Sequence, residues 1–198
     1  MEDKRVIKTK RNIKDTLVKL LQTTPFEKIT VAELCRKGVI SRITFYTYYD
    51  SKYDLLHELS SDYIQEARDI YRAMQLRCHA KHDSLIGYKN LLECILTLIF
   101  NHPDFFRHTA AQENPYLFSE FFNQVFDSVY DYLKTHHGLI PKYPTRQTAA
   151  LICNGMFGVI NSCSSEEMPE NELRKIAVAM YQDLIQSNLF NSPSPSMV

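Results

Sequence analysis

The sequence predicts an all-α chain in which a small basic module of three helices precedes a longer helical bundle, and three observations carry that prediction. Apolar residues recur at spacings of three and four along almost the whole chain, the period of helices that each bury one face. Only five glycines interrupt 198 residues, which leaves few tight turns. Charge is unevenly placed: residues 1–56 carry 12 Lys/Arg against 7 Asp/Glu, a net +5, and the remainder carries 11 against 16, a net −5. Such a division confines contact with any polyanion to the front of the chain. Hydrophobic content of 44% and charged content of 23% are ordinary for a globular protein with a real core.

The front module reads in order. Lys4, Arg5, Lys8, Lys10 and Arg11 form a phosphate-contacting arm, a frayed helix entry or a flexible, solvated terminus. Ile13, Leu17, Leu20 and Leu21 then make an amphipathic stripe that ends before Pro25. Thr30 and Glu33 have the spacing of a capping box, and Val31, Leu34 and Cys35 share one side of the helix they open. Gly38 is expected to stop that helix by taking a left-handed conformation. Ser41 caps a second short helix, Arg42 to about Tyr48, and Ser51 with Asp54 caps a third. In the middle helix Phe45 and Tyr49 face inward, leaving Arg42, Thr44, Tyr46, Thr47 and Tyr48 as exposed hydrogen-bonding groups. Helix, glycine-containing turn and polar second helix make the helix-turn-helix layout. A plain helical hairpin with a solvated face has the same spacing.

A long helix follows, with Leu56, Leu59, Tyr63, Ile70 and Met74 in near-heptad spacing, and its pattern breaks between Arg77 and Asp83, where a hinge is expected. Cys78, His79 and His82 match no zinc spacing, so no metal is expected. Leu85, Tyr88, Leu91, Leu92, Ile95, Leu96 and Ile99 form an apolar helix ended by Asn101-His102-Pro103. A short helix, Asp104 to about Ala111, precedes a longer one from Asn114-Pro115 to His137-Gly138. Aromatics crowd this region. Most would be core, but Phe100, Phe105, Phe106, His108, Phe118, Phe122, Phe126 and, further on, Met156 are candidates to line a cavity for a small apolar or aromatic ligand. Pro141-Lys142-Tyr143-Pro144 makes a rigid connection to a helix from Thr145 to about Ser164, whose Ala149, Ala150, Gly155 and Gly158 permit close helix approach. Leu173, Ile176, Ala177, Met180, Leu184 and Ile185 form the stripe of the last helix, and the Ser/Pro-rich tail 191–198 is expected to be disordered.

The run Ser41-Arg42-Ile43-Thr44-Phe45-Tyr46-Thr47-Tyr48-Tyr49-Asp50-Ser51-Lys52-Tyr53-Asp54-Leu55-Leu56 resembles the signature of TetR-family transcriptional regulators, S-R-x-T-F-Y-x-Y-F-x-S-K-x-x-L. The likeness reaches back through Ile29-Thr30-Val31-Ala32-Glu33-Leu34 and covers the first quarter to third of the chain. Two departures stand out: Gly38-Val39 sits where the family usually has Ala-Gly, and Ile43 fills a position often taken by a small residue. The resemblance implies about nine helices in two parts. Residues 1–56 would be a helix-turn-helix DNA-binding domain, the helix over about 52–76 a link, and 77–190 a helical ligand-binding and dimerisation domain. Arg42 and Thr44 would meet base edges, and Thr30, Tyr46, Tyr48 and Lys52 would meet phosphates, with Thr47 on the same surface. Gly155, Gly158, Ile176, Met180 and Leu184 would face a second copy in a four-helix interface.

The function this implies is a homodimeric regulator on a palindromic operator in double-stranded DNA, a repressor answering to an apolar or aromatic effector. The alternative is an activator, or an interaction module of the same fold controlled by a protein partner or by no effector at all. No nucleophile elbow, Gly-rich phosphate loop, H-E-x-x-H or cysteine pair is present, so neither catalysis nor a cofactor is expected. No run approaches the roughly 18 apolar residues of a membrane span, and no leader opens the chain. With Cys35, Cys78, Cys94, Cys153 and Cys163 scattered at helical positions, a cytoplasmic protein with reduced thiols is expected.

Overall fold

Nine α-helices form among the described residues. They are α1 Lys4–Leu21, α2 Val31–Gly38, α3 Arg42–Tyr46, α4 Lys52–Cys78, α5 Ser84–Asn101, α6 Pro103–Phe106, α7 Pro115–Thr135, α8 Thr145–Ser165 and α9 Glu170–Gln186. The structure, a computed structural model, describes residues 4–78, 84–106, 114–135, 140–165 and 168–191. The fold is all-α, as the periodicity predicts. One small strand pair lies outside that expectation: β1 Ile140–Pro141 runs antiparallel to β2 Phe190–Asn191, held also by the Lys142 N–H on the Leu189 carbonyl at 2.9 Å. His108, the Cys78-His79-His82 cluster apart from the backbone of Cys78, and residues 192–198 of the tail lie outside the described residues. No described helix is long and apolar enough to cross a membrane.

The chain divides into two compact units that do not follow chain order: Met1–Tyr63 with His102–Phe121, and Ile64–Asn101 with Phe122–Val198. The first unit is built on α1, helical from Lys4 onward, so the basic residues form the entry of a helix. Its stripe of Ile13, Leu17, Leu20 and Leu21 is buried together with Leu34, Phe45, Leu55 and Leu56. Along one edge of the same stripe, Lys10 and Lys14 reach the carboxylate of Glu58 at 3.0 and 2.7 Å, and Lys14 also pairs with Asp62. The second unit packs α5 against α9 and α9 against α8. Helix α5 buries Leu92, Cys94, Ile95, Leu96 and Leu98, almost all round its circumference, which is the pattern of a central helix.

Two sequence expectations change here. The first concerns α9, whose apolar stripe is buried along one edge only. Leu173, Ala177, Tyr181 and Ile185 are buried, while Ile176 and Leu184 beside them are half-buried and Met180 is 54% exposed. The small residues of α8 divide in the same way: Ala149 is buried, and Gly155 and Gly158 face away, where an added Cβ would meet nothing within 4 Å.

The second concerns the turn after α2. Gly38 has a helical conformation, and Val39 takes the left-handed one, φ 53° and ψ 47°. Gly38 sits at a close approach: a Cβ there would lie 3.2 Å from the Thr16 hydroxyl, and the Gly38 carbonyl accepts a hydrogen bond from the Asn12 side-chain amide at 2.8 Å. Close approach of α1 and α2 takes the only glycine in the turn. The left-handed residue is therefore a β-branched valine, 90% exposed, at a cost of about 1–2 kcal/mol.

Two outcomes follow. Val39→Gly should relieve that strain against a smaller gain in unfolded-chain entropy, raising stability by about 0.5–1 kcal/mol and Tm by roughly 2–3 °C in a thermal melt. Burial alone would raise the Glu58 pKa, but its bonds to Lys14 and Lys10 outweigh burial and hold the carboxyl below its ordinary range. A carboxyl with a depressed folded pKa stabilises the fold above its unfolded value, and that contribution disappears as pH falls through the folded one. Urea unfolding below about pH 4.3 should show stability declining, with a shallower decline in Glu58→Gln.

Candidate nucleic-acid interface

The interface is a short helix held by its two ends and one buried ring. At its start the Ser41 hydroxyl accepts the Thr44 N–H at 2.9 Å and lies 2.8 Å from the Thr44 hydroxyl. At its end the N–H groups of Tyr48 and Tyr49 both reach the Phe45 carbonyl at 3.0 Å. Phe45 itself is fully buried, edge-on to Tyr46 at 5.5 Å and tilted against Tyr49 at 5.7 Å. Lys10 of α1 lies 5.6 Å above the Tyr49 ring, which ties the helix to its brace. The preceding turn is fixed by the Ile40 N–H on the Cys35 carbonyl at 3.0 Å and by the Cys35 thiol on the Ser41 carbonyl at 3.8 Å. Burial pushes the Cys35 thiol up, with Arg42 opposing, so this cysteine packs as a small apolar group.

What α3 presents outward follows from its rotation. Arg42, Ile43, Tyr46 and Thr47 are exposed, and Thr44 and Tyr48 are half-buried. Six of the seven sequence candidates thus lie on or beside one short element or at a cap, since Thr30 is exposed at the start of α2 and accepts the Glu33 N–H at 3.2 Å. The side chain of Thr47 is turned inward at its polar atom, its hydroxyl donating to the Ile43 carbonyl at 2.9 Å.

Lys52 differs from expectation. Its ammonium donates to three backbone carbonyls, Phe26 at 2.9 Å, Glu27 at 2.9 Å and Ile29 at 2.8 Å. It also lies 4.8 Å over the Phe26 ring. An ammonium has three donors, and here all three are engaged. Lys52 therefore acts as a clamp that holds the 3-10 turn Phe26–Lys28, and with it the start of α2, against α4. Phe26 is stacked on Tyr116 at 5.7 Å and edge-on to Tyr53 at 5.5 Å within the same unit.

Other candidates are spread apart. Phe105 and Phe106 are buried in the first unit, in ring contact with Tyr63, and Phe118 belongs to that unit too. Phe100, Phe122, Phe126 and Met156 belong to the second, where Phe122 tilts against Phe157 at 5.5 Å. A groove of about 480 Å³ in the second unit is lined by none of these; Glu93, Arg174, Lys175 and Gln182 border it, with Arg174 on Glu93 at 2.6 Å. The thiols of Cys94 and Cys153 are buried and pushed up to about 12, as inert core groups. The residue that sequence reasoning left unassigned is Ile43, 82% exposed. Its signal was a large apolar side chain on an otherwise polar helix.

Lys52→Met keeps the stem over Phe26 and removes the three bonds. It should lower stability by about 2 kcal/mol in urea unfolding while leaving the far-ultraviolet spectrum unchanged.

No family model matches the chain, and no curated protein does. Solved structures do. A protein of Syntrophomonas wolfei described as a TetR-family transcriptional regulator superposes with a TM-score of 0.72 at 12% identity, over 92% of this chain and 97% of that one. The fatty acid degradation regulator FadR of Bacillus halodurans gives 0.65 at 14% identity, over 92% and 97%. A TetR family transcription regulator of Marinobacter aquaeolei gives 0.60 at 17% identity, over 90% and 96%. The chain therefore has the fold of the TetR-family transcription regulators across nearly its whole length.

Proposed function

We propose that this protein is a sequence-specific DNA-binding transcription regulator that acts as a homodimer on a palindromic site and is released from it by a small effector, as a repressor. One observation carries the reading: a capped five-residue helix, anchored by a single buried ring, leaves Arg42, Ile43 and Tyr46 exposed behind a helix-turn-helix bend. Arg42 pairs with a guanine edge, and Tyr46, with Tyr48 just beyond the helix, holds phosphates. Thr30 contributes at the start of α2, where free N–H groups and the helix dipole favour an anion. Lys52 serves this surface as its brace. The reading assigns the chain no catalysis.

A single helix-turn-helix reads too few bases for a unique site, and a two-fold pair sets two such helices roughly 34–36 Å apart on one face of the duplex. The outward side of α8 and α9 supports such a pair. Leu151 is 52% exposed there, Gly155 and Gly158 are open, and half-buried Ile176 and Leu184 with exposed Met180 extend the apolar face. Four helices, two from each copy, would bury it. The effector is apolar or aromatic, bound among the rings of the second unit. It shifts the protein away from the DNA-bound state only by its differential affinity for the two states.

Binding to duplex DNA should weaken linearly in log affinity against log salt. Tyr46→Ala should weaken all sequences alike, whereas Arg42→Ala should relax preference at one position per half-site, both read by band-shift titration. Met180→Arg should convert the dimer to monomer in sedimentation velocity and lower affinity for a palindrome on the order of 100-fold, by loss of the second half-site.

A further inference from the structure

We propose that Ile43, together with the methyl group of Thr47, determines sequence specificity by reading thymine 5-methyl groups on the floor of the major groove. This rests on the DNA-binding reading above and adds to it a base and a contact. The argument starts from rotation. Successive helical residues turn by about 100°, so with Phe45 aimed at the core, Ile43 and Thr47 each lie roughly 160° from it, on the outermost ridge. Arg42, Thr44, Tyr46 and Tyr48 fall on the flanks by the same count. The residues turned most directly away from the core are thus an isoleucine and a threonine.

Their chemistry agrees. Ile43 is 82% exposed, and a β-branched residue is a poorer helix former than alanine, so neither packing nor propensity accounts for it. Thr47 donates its hydroxyl to the Ile43 carbonyl at 2.9 Å, which leaves its methyl as the outward group. Thr44 is half-buried with its hydroxyl beside Ser41 at 2.8 Å, so it offers the floor of the groove less. An apolar ridge pressed into a groove of donors and acceptors leaves those polar atoms unsatisfied, except at the one apolar feature of the major groove, the thymine methyl.

The test uses the full chain. A preferred duplex is selected from a random pool, and each dT is then replaced singly by dU, which removes only the methyl. Affinity is read by fluorescence anisotropy. Wild type should lose about three- to fivefold at one thymine or more per half-site, next to the position where Arg42→Ala relaxes preference. Ile43→Ala should melt like wild type, bind the selected duplex more weakly, and be indifferent to dU at that thymine. Thr47→Ser, which keeps the hydroxyl and removes the methyl, should lose sensitivity at the neighbouring thymine. If no dU replacement matters to wild type, or Ile43→Ala keeps the full sensitivity, the inference is overturned while the regulator reading stands. If wild type selects no sequence from the pool, the regulator reading fails and this inference fails with it.

Discussion

Burial of the Phe45 ring is the constraint on which the rest of the first unit depends. Helix α3 has five residues, far below the roughly 12–15 at which an isolated helix becomes even marginal in water. It exists because tertiary packing fixes one ring, and because Ser41 satisfies a free N–H at its start. Fixing one ring also fixes rotation. Every other side chain on so short a helix then has a set direction, and the outward display of Arg42, Ile43, Tyr46 and Thr47 is a consequence of where Phe45 points. The surrounding braces serve the same end: Lys10 over Tyr49, the Cys35 thiol on Ser41, and the Lys52 clamp at the start of α2.

The turn between α2 and α3 shows how two demands compete for one glycine. The chain favours a residue without Cβ where α1 and α2 come close, and a residue tolerant of positive φ one step later. With glycine at position 38, proximity is satisfied and the left-handed conformation falls to Val39. The geometry of the bend survives because strain of about 1–2 kcal/mol is small beside what several buried side chains on both helices contribute. Val39 is exposed, so its side chain meets no further obstacle.

In the second unit the same economy of rotation governs α9. Its buried residues recur every four positions, from Leu173 to Ile185, and Ile176, Met180 and Leu184 continue the apolar face past that buried edge. The buried edge packs against α5 and α8, while Met180 stays exposed, as do Gly155 and Gly158 of α8.

Helical period, cap residues and the signature around Tyr46 were enough to determine the fold class, the order of the helices and the helix-turn-helix, because these depend on neighbours three or four residues apart. The same local rules placed the caps Thr30, Ser41 and Ser51 and the inward pair Phe45 and Tyr49. Only the tertiary structure decided the rest. That Lys52 clamps three carbonyls instead of facing solvent depends on the 3-10 turn at Phe26, 26 residues away. That Gly38 serves proximity and Val39 bends the chain depends on Thr16 of another helix. Which edge of the α9 stripe is buried, and which aromatics belong to which unit, likewise rest on long-range packing, which the periodicity of a single helix does not encode.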